Sequence, residues 1–123
     1  MKLAVIGSRT ITDAESVFPI IDRYNPTKIV SGGARGADQL GKEYAEKNEL
    51  SAIIFPAEWK KYGKSAGYIR NHDIIKNSDH VVAFWDGQSR GTLHSIELAL
   101  DTYNIPIDVY VFVDGEWVLV EED

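Results

Sequence analysis

The chain has no cysteine. That excludes disulfides, zinc–thiolate centres and cysteine nucleophiles, and it makes the cytoplasm the expected compartment. Long hydrophobic runs are missing as well. The apolar stretches reach about five or six residues, against the roughly 20 that a spanning helix needs, so no membrane partner is expected. The N-terminal stretch Met1-Lys2-Leu3-Ala4-Val5-Ile6-Gly7 is too short for the hydrophobic region of a signal peptide and reads as a strand. Basic residues are in deficit: 13 Lys and Arg against 19 Asp and Glu leave a formal net charge of -6. A duplex binder needs clustered Lys and Arg to release counterions from the phosphate backbone, so duplex nucleic acid is not an expected partner. Lys60, Lys61 and Lys64 form the one basic cluster, interleaved with Trp59 and Tyr62. A small anionic ligand therefore stays allowed.

What is present suits one globular domain over residues 1–123, with 44% hydrophobic residues and no repeat, linker or low-complexity segment. Five short apolar runs predict strands at Leu3–Ile6, Lys28–Val30, Ala52–Phe55, His80–Phe84 and Asp108–Phe112. Each is nearly continuous, as expected for strands buried on both faces of a parallel sheet. Helical patterns separate them. The first opens on Thr12-Asp13-Ala14-Glu15, a capping-box pattern, repeats Val17, Ile20, Ile21 and Tyr24, and closes at Asn25-Pro26. The second presents Ala37, Leu40, Gly41, Tyr44 and Ala45 on one face. The third runs from about Ala66 to Asn77 with Ile74 and Ile75 inward. The fourth starts near Gly91-Thr92 and turns Ile96, Ala99, Leu100 and Tyr103 inward. Asp114-Gly115 predicts a tight hairpin returning through Trp117–Val120. Alternating strands and helices imply an α/β doubly wound sheet, mostly parallel, of about five strands, with helices on both faces and a C-terminal antiparallel hairpin.

The segment Ser31-Gly32-Gly33-Ala34-Arg35-Gly36-Ala37-Asp38 links the second strand to the second helix. Strand, glycine-rich turn and helix is the arrangement that brings backbone N–H groups and a helix N-terminus up to a phosphate. It lacks the Lys-Ser/Thr pair of a P-loop and the G-x-G-x-x-G spacing of a dinucleotide fingerprint. A tight turn that simply needs glycine is the alternative. Open α/β sheets bind ligands beyond the carboxyl ends of their strands. Here four exits carry small, hydroxyl and arginine residues: Gly7-Ser8-Arg9-Thr10, the glycine-rich turn, Pro56-Ala57-Glu58-Trp59, and Trp85 to Thr92 through Asp86, Ser89, Arg90 and Gly91. Four coincident exits favour a phosphate-bearing ligand over a set of unrelated turns.

Roles follow from chemistry. Gly32, Gly33 and Gly36 let backbone approach an anion, and Gly91 with Thr92 repeats the device at the fourth helix. Arg9, Arg35 and Arg70 offer forked donors for phosphate or carboxylate. Trp59, Tyr62 and Tyr68 are candidates to stack on a base. Each has a plainer reading: Arg35 and Asp38 at i,i+3 can simply pair on a helix surface, Asp38 can answer the helix dipole, and Trp59 suits a core or lid position. His72, His80 and His94 lack metal-ligand spacing, so neither a metal nor a cofactor is expected. With no G-x-S-x-G elbow, a Ser-His-Asp arrangement is rejected.

Gly7-Ser8-Arg9, Ser31 to Asp38, Pro56-Ala57-Glu58-Trp59, Tyr62-Gly63-Lys64, Ala66-Gly67, Arg70-Asn71, Ala83 to Gly87 and Ser89 to Thr92 together resemble the YspA-type branch of the SLOG superfamily. The likeness runs from Lys2 to about Tyr103. It implies a Rossmann-like fold and a nucleotide or nucleotide-derived ligand, with Gly7, Ser8, Arg9, Ser31, Gly32, Gly33, Ala34, Arg35, Gly36, Asp38, Trp59, Arg70, Asn71, Asp86, Ser89, Gly91 and Thr92 around it. Relatives include the LOG phosphoribohydrolases, the DNA-processing protein DprA and sensors of NAD-derived signals. In the LOG signature an arginine matches Arg70 and a Gly-Thr pair matches Gly91-Thr92, but the glutamate position holds Ser95. N-glycoside cleavage needs a carboxylate, and Asp38 and Asp86 are the rim candidates, with Arg70 beside them. The expectation is a nucleotide-binding sensor or sequestering protein, for a ribose-phosphate, NAD/ADP-ribose-type or cyclic ligand. A nucleotide hydrolase is the alternative, and a DprA-like nucleic-acid module a third. The resemblance also implies a homo-oligomer, a dimer or higher, and the hairpin offers an edge strand for it.

Overall fold

The computed structural model describes residues 1–120. The acidic run Glu121-Glu122-Asp123 lies outside the described residues. Lys2–Gly7 (β1), Lys28–Ser31 (β2), Ser51–Ile54 (β3), His80–Trp85 (β4), Ile107–Val113 (β5) and Glu116–Leu119 (β6) form one sheet in the order β3-β2-β1-β4-β5-β6. The first four pairings are parallel, and β5 and β6 are antiparallel around the Asp114-Gly115 turn. The helices are Ala14–Asp22 (α1), Ala37–Lys47 (α2), Trp59–Tyr62 (α3), Ala66–Lys76 (α4) and Arg90–Glu97 (α5).

Side-chain alternation along β1 divides the core in two. Leu3 and Val5 face α1 and α2, packing with Val17, Ile20, Ile21, Leu40 and Tyr44. Ala4 and Ile6 face α4 and α5, packing with Ile74, Ile75 and Ile96. A fully buried Val, Leu or Ile contributes about 1.5–3 kcal/mol. The central strands carry Leu3, Val5, Ile29, Val30, Val81 and Val82 at 0% exposure. They are the rigid platform, and the loops at their carboxyl ends hang from it.

Several local expectations change. β3 is an edge strand with Ser51 and Ala52 exposed, and most of β5 is only half-buried or exposed, so neither is enclosed on both faces. The cap of α1 is Asp13, whose carboxylate accepts from the Glu15 amide at 3.2 Å, so Thr12 does not start a capping box. The loop after β3 is wound into α3 and a 3-10 turn at Gly63–Ser65. Past α5 the chain widens into a π-helical turn, Leu98–Thr102, with the Tyr103 amide donating to the Leu98 carbonyl. The extra residue in that turn rotates the apolar face, and Leu100, expected inward, is exposed.

Candidate functional site

The chain runs outward through β1, β2 and β3, then returns to lay β4 on the other side of β1. That makes the β1–β4 gap the switch point, where loops diverge and a crevice opens. A cavity of about 230 Å³ sits there, walled by Gly7 at the end of β1 and Arg9 just after it, Asp38 from α2, Arg70, Asn71 and Ile74 from α4, the α5 cap Ser89, and Gly91, Thr92 and Ser95 from α5. A second lobe of about 360 Å³ adjoins it, walled by Gly32, Gly33, Arg35, Pro56 and Ala57. Arg9, Ala34, Trp59 and Arg70 line both lobes. Taken together the lobes reach the size of small-molecule sites, roughly 300–1,000 Å³.

Ser8, Ser31 and Gly36 are buried behind this wall, and Asp86 lies outside it. Ser8 is buried and bolts three exits together: its amide donates to the Phe84 carbonyl, its Oγ accepts from the Asp86 amide at 3.0 Å, and its carbonyl accepts from the Ala37 amide at 3.2 Å. Gly36 has φ +82°, and a Cβ there would collide with the Ser8 carbonyl and the Arg9 backbone. Ser31 Oγ donates to the Asp38 carbonyl at 2.8 Å and accepts from the Gly33 amide. Asp86 is exposed and accepts from the Gln88 and Ser89 amides at 2.8 Å, which hold its carboxyl below the usual range.

Asp38 is 7% exposed on the cavity wall. Burial pushes its carboxyl up to about 6, while Arg70, the Ala34 and Gly7 amides and Arg9 pull the other way. The glycine-rich turn thus directs its amides inward: Gly33 to Ser31, Ala34 towards Asp38, and Ala37 to Ser8. The helix-surface pairing of Asp38 with Arg35 is not what forms. Arg35 is exposed, and the cations acting on Asp38 are Arg70 and Arg9. A Cβ at Gly32 would land on Arg70 Nη1 and 2.8 Å from Asp38 Oδ2, so glycine is what lets these two groups converge.

The α5 end is more open. Ser89 caps the helix through Thr92, at 3.4 Å from its amide, and Trp85 Nε1 donates to the Ser89 carbonyl at 3.1 Å. Gly91 has no atom within 4 Å of where a Cβ would project. Trp59 is 53% exposed above the cavity, with its ring edge 3.4 Å from a Cβ position on Gly67. Tyr68, Lys64 and Gly67 complete that rim, and Ile6 and Ile74 give it an apolar floor. Ser95, the position of the missing glutamate, is buried in the cavity wall one turn beyond Gly91. Its place was readable from the four-residue spacing on one helix face. Lys64 belongs to the one basic cluster of the sequence and Gly67 to a motif of the resemblance, but neither is marked there as a wall residue, and Ile74 reads only as core. Their placement depends on how the loop after β3 folds back. Among the described residues no group of three His, Asp or Glu could hold a metal ion.

Parallel sheet, order 3-2-1-4-5, and a cavity with polar walls over an apolar floor at the switch point define a Rossmann-like α/β protein with a ligand-sized crevice. A family model described as the YspA, cpYpsA-related SLOG family matches residues 1–62, and the chain belongs to that family. The Gene 61 protein of Mycobacterium phage D29 is 30% identical over 109 residues, covering 80% of this chain and 87% of the phage protein. No solved structure matches. Family membership suggests a nucleotide-related function.

Proposed function

We propose that the protein binds a nucleotide or nucleotide-derived ligand at the carboxyl edge of the sheet, as a sensor or sequestering protein. The observation that carries this reading is the pairing of two arginines, Arg9 and Arg70, with Trp59 on the wall shared by both lobes of the switch-point cavity. Forked guanidinium donors suit phosphate, and an exposed indole suits a base. The phosphate goes to the α5 end, where Gly91 leaves backbone accessible, rather than onto the α2 turn, whose amides already serve Ser31, Asp38 and Ser8. Asp38, an anion beside that phosphate, is an acceptor for ribose hydroxyls.

Calorimetry and thermal shift against nucleoside phosphates, ADP-ribose, NAD and cyclic nucleotides test this. Saturable binding of one class supports it, and a folded protein that binds none at millimolar concentration overturns it. One observation favours a second reading, a nucleotide hydrolase. Asp38 is a buried carboxyl whose raised proton affinity suits general acid–base work near neutral pH. Product formation on chromatography that disappears in Asp38→Asn would decide for it.

A further inference from the structure

Arg70 is held from two sides. Its Nη1 donates to the Gly32 carbonyl at 3.0 Å and its Nε to Asn71 Oδ1 at 3.3 Å. Asn71 is 8% exposed, and its Nδ2 faces two further groups, the Gly91 carbonyl at 3.3 Å and His94 Nδ1 at 3.2 Å. Its neighbours decide which way the amide points. An arginine Nε–H only donates and a carbonyl only accepts, so the reversed amide would set N–H against N–H and oxygen against oxygen. Both hydrogens of Nδ2 are therefore committed, and His94 Nδ1 has to accept. That leaves His94 a neutral imidazole with its proton on Nε2. A proton on Nδ1 would face the Asn71 Nδ2–H and break the contact.

We propose that His94 is a positioning residue: its neutral ring holds Asn71, Asn71 holds Arg70 against the cavity, and protonation of His94 weakens anion binding. This rests on the reading of the cavity as a phosphate-bearing ligand's site. The groups facing His94 fit such a role. From α4, Tyr68 meets it edge-on at 4.7 Å between centroids and His72 lies at 5.7 Å. Tyr103, beyond the π turn, engages His72 Nδ1 at 2.8 Å. Burial lowers the proton affinity of His94, His72 lowers it further, and Glu97 on its own helix opposes both. The ring is thus neutral at neutral pH, and its titration lies on the acid side of the ordinary histidine range.

A plain Coulomb effect predicts the opposite sign, because an imidazolium near the cavity would attract an anion. That difference makes the test. Sulfate is the probe, since its charge is constant from pH 5 to 8, and binding is read by NMR titration. His94→Asn keeps an acceptor in the place of Nδ1 and cannot titrate, whereas His94→Ala removes the acceptor. Asp38 titrates in every form, so forms are compared at one pH. At pH 8, His94→Asn should match the wild type within about twofold and His94→Ala should bind about fivefold more weakly, the scale of one hydrogen bond. At a pH where NMR of the His94 ring shows the imidazolium, His94→Asn should bind about fivefold more tightly than the wild type. Equal or tighter binding by the wild type at that pH overturns the proposal. If no form binds sulfate, the ligand reading fails, and the network is still decided in the free protein. The Arg70 Nε–H signal at pH 8 should persist in the wild type and His94→Asn and exchange away in His94→Ala. A signal indifferent to residue 94 overturns it.

Discussion

Arg70 Nη1 donates to the carbonyl of Gly32, 38 residues earlier in the chain, and so seats an arginine of α4 on the glycine-rich turn. The same side chain reaches Asn71 through Nε and the Phe55 carbonyl at 3.4 Å. One planar fork thereby joins the exits of β2 and β3 to the helix that walls the cavity. A lysine has the charge but not the fork.

Arg70→Ala should therefore weaken nucleotide binding at least tenfold, and Arg70→Lys should recover little of it, measured by calorimetry. Losing a charge-assisted contact of this kind is worth about 1.5–3 kcal/mol. Arg35, exposed at the edge of the second lobe, is the comparison, and Arg35→Ala should cost less. Equal losses at both positions would mean that general positive charge, not the seated fork, attracts the ligand.

Trp59 separates binding from folding. At 53% exposure on a four-residue helix it contributes little to the core, so Trp59→Ala should leave the urea midpoint nearly unchanged. Loss of a stacking face should still weaken a base-containing ligand by about 1–3 kcal/mol. Ribose 5-phosphate, which has no base, should lose much less. Quenching of tryptophan fluorescence by the nucleotide would report the same contact directly, with Trp85 and Trp117 as background.

The strands, the four longer helices α1, α2, α4 and α5, and the rim at which the loops gather are legible because they depend on local periodicity and on one topological rule, whereas the short α3 has no such period. Val81 and Val82 read as a buried strand without any knowledge of their neighbours. The roles of Ser8 and Gly36 were not legible, because what they contact is main chain from other exits: Phe84, Asp86 and Ala37 on Ser8, and Arg9 and Ser8 on Gly36. Main-chain contacts leave no residue-type pattern. The role of His94 leaves no mark in the sequence: its spacing from His72 and His80 speaks only against a metal, whereas its partners are an amide and two rings. Leu100 departs from its expected inward position because a π turn breaks the 3.6-residue period.

Two glycines of the site should respond in opposite ways. Gly36→Ala puts a Cβ into Ser8 and Arg9 at a positive φ, so it should destabilise the protein by at least about 2 kcal/mol. Gly91→Ala projects into open space on α5 and should stabilise it by about 0.5 kcal/mol through higher helix propensity. The same methyl narrows the approach to the α5 backbone, so phosphate affinity should fall while the melting temperature rises. Unchanged affinity in Gly91→Ala would move the phosphate elsewhere.

Asp38 gives the site a pH dependence whose sign can be worked out. Its carboxyl titrates at about 6 in the folded protein against 3.8 ordinarily, with burial the leading cause. Between those values the folded chain keeps a proton that the unfolded chain has released. The stabilisation from that proton is complete below the unfolded value and is lost as pH rises through the folded one. Asp38→Asn cannot lose it. The stability difference between Asp38→Asn and the wild type should therefore shift in favour of the variant as pH rises from about 3.5 to 7.5, by at most about 3 kcal/mol. Other titrations are common to both chains and cancel, so urea unfolding at the two ends of the range is sufficient. A difference independent of pH would mean that Arg70 and Arg9 fully offset the burial. Ligand adds a second readout: a phosphate placed beside Asp38 raises its proton affinity further. Near pH 6 the binding of sulfate, which does not itself titrate there, should then take up protons, seen as a heat of binding that depends on the ionisation enthalpy of the buffer and no longer does so in Asp38→Asn.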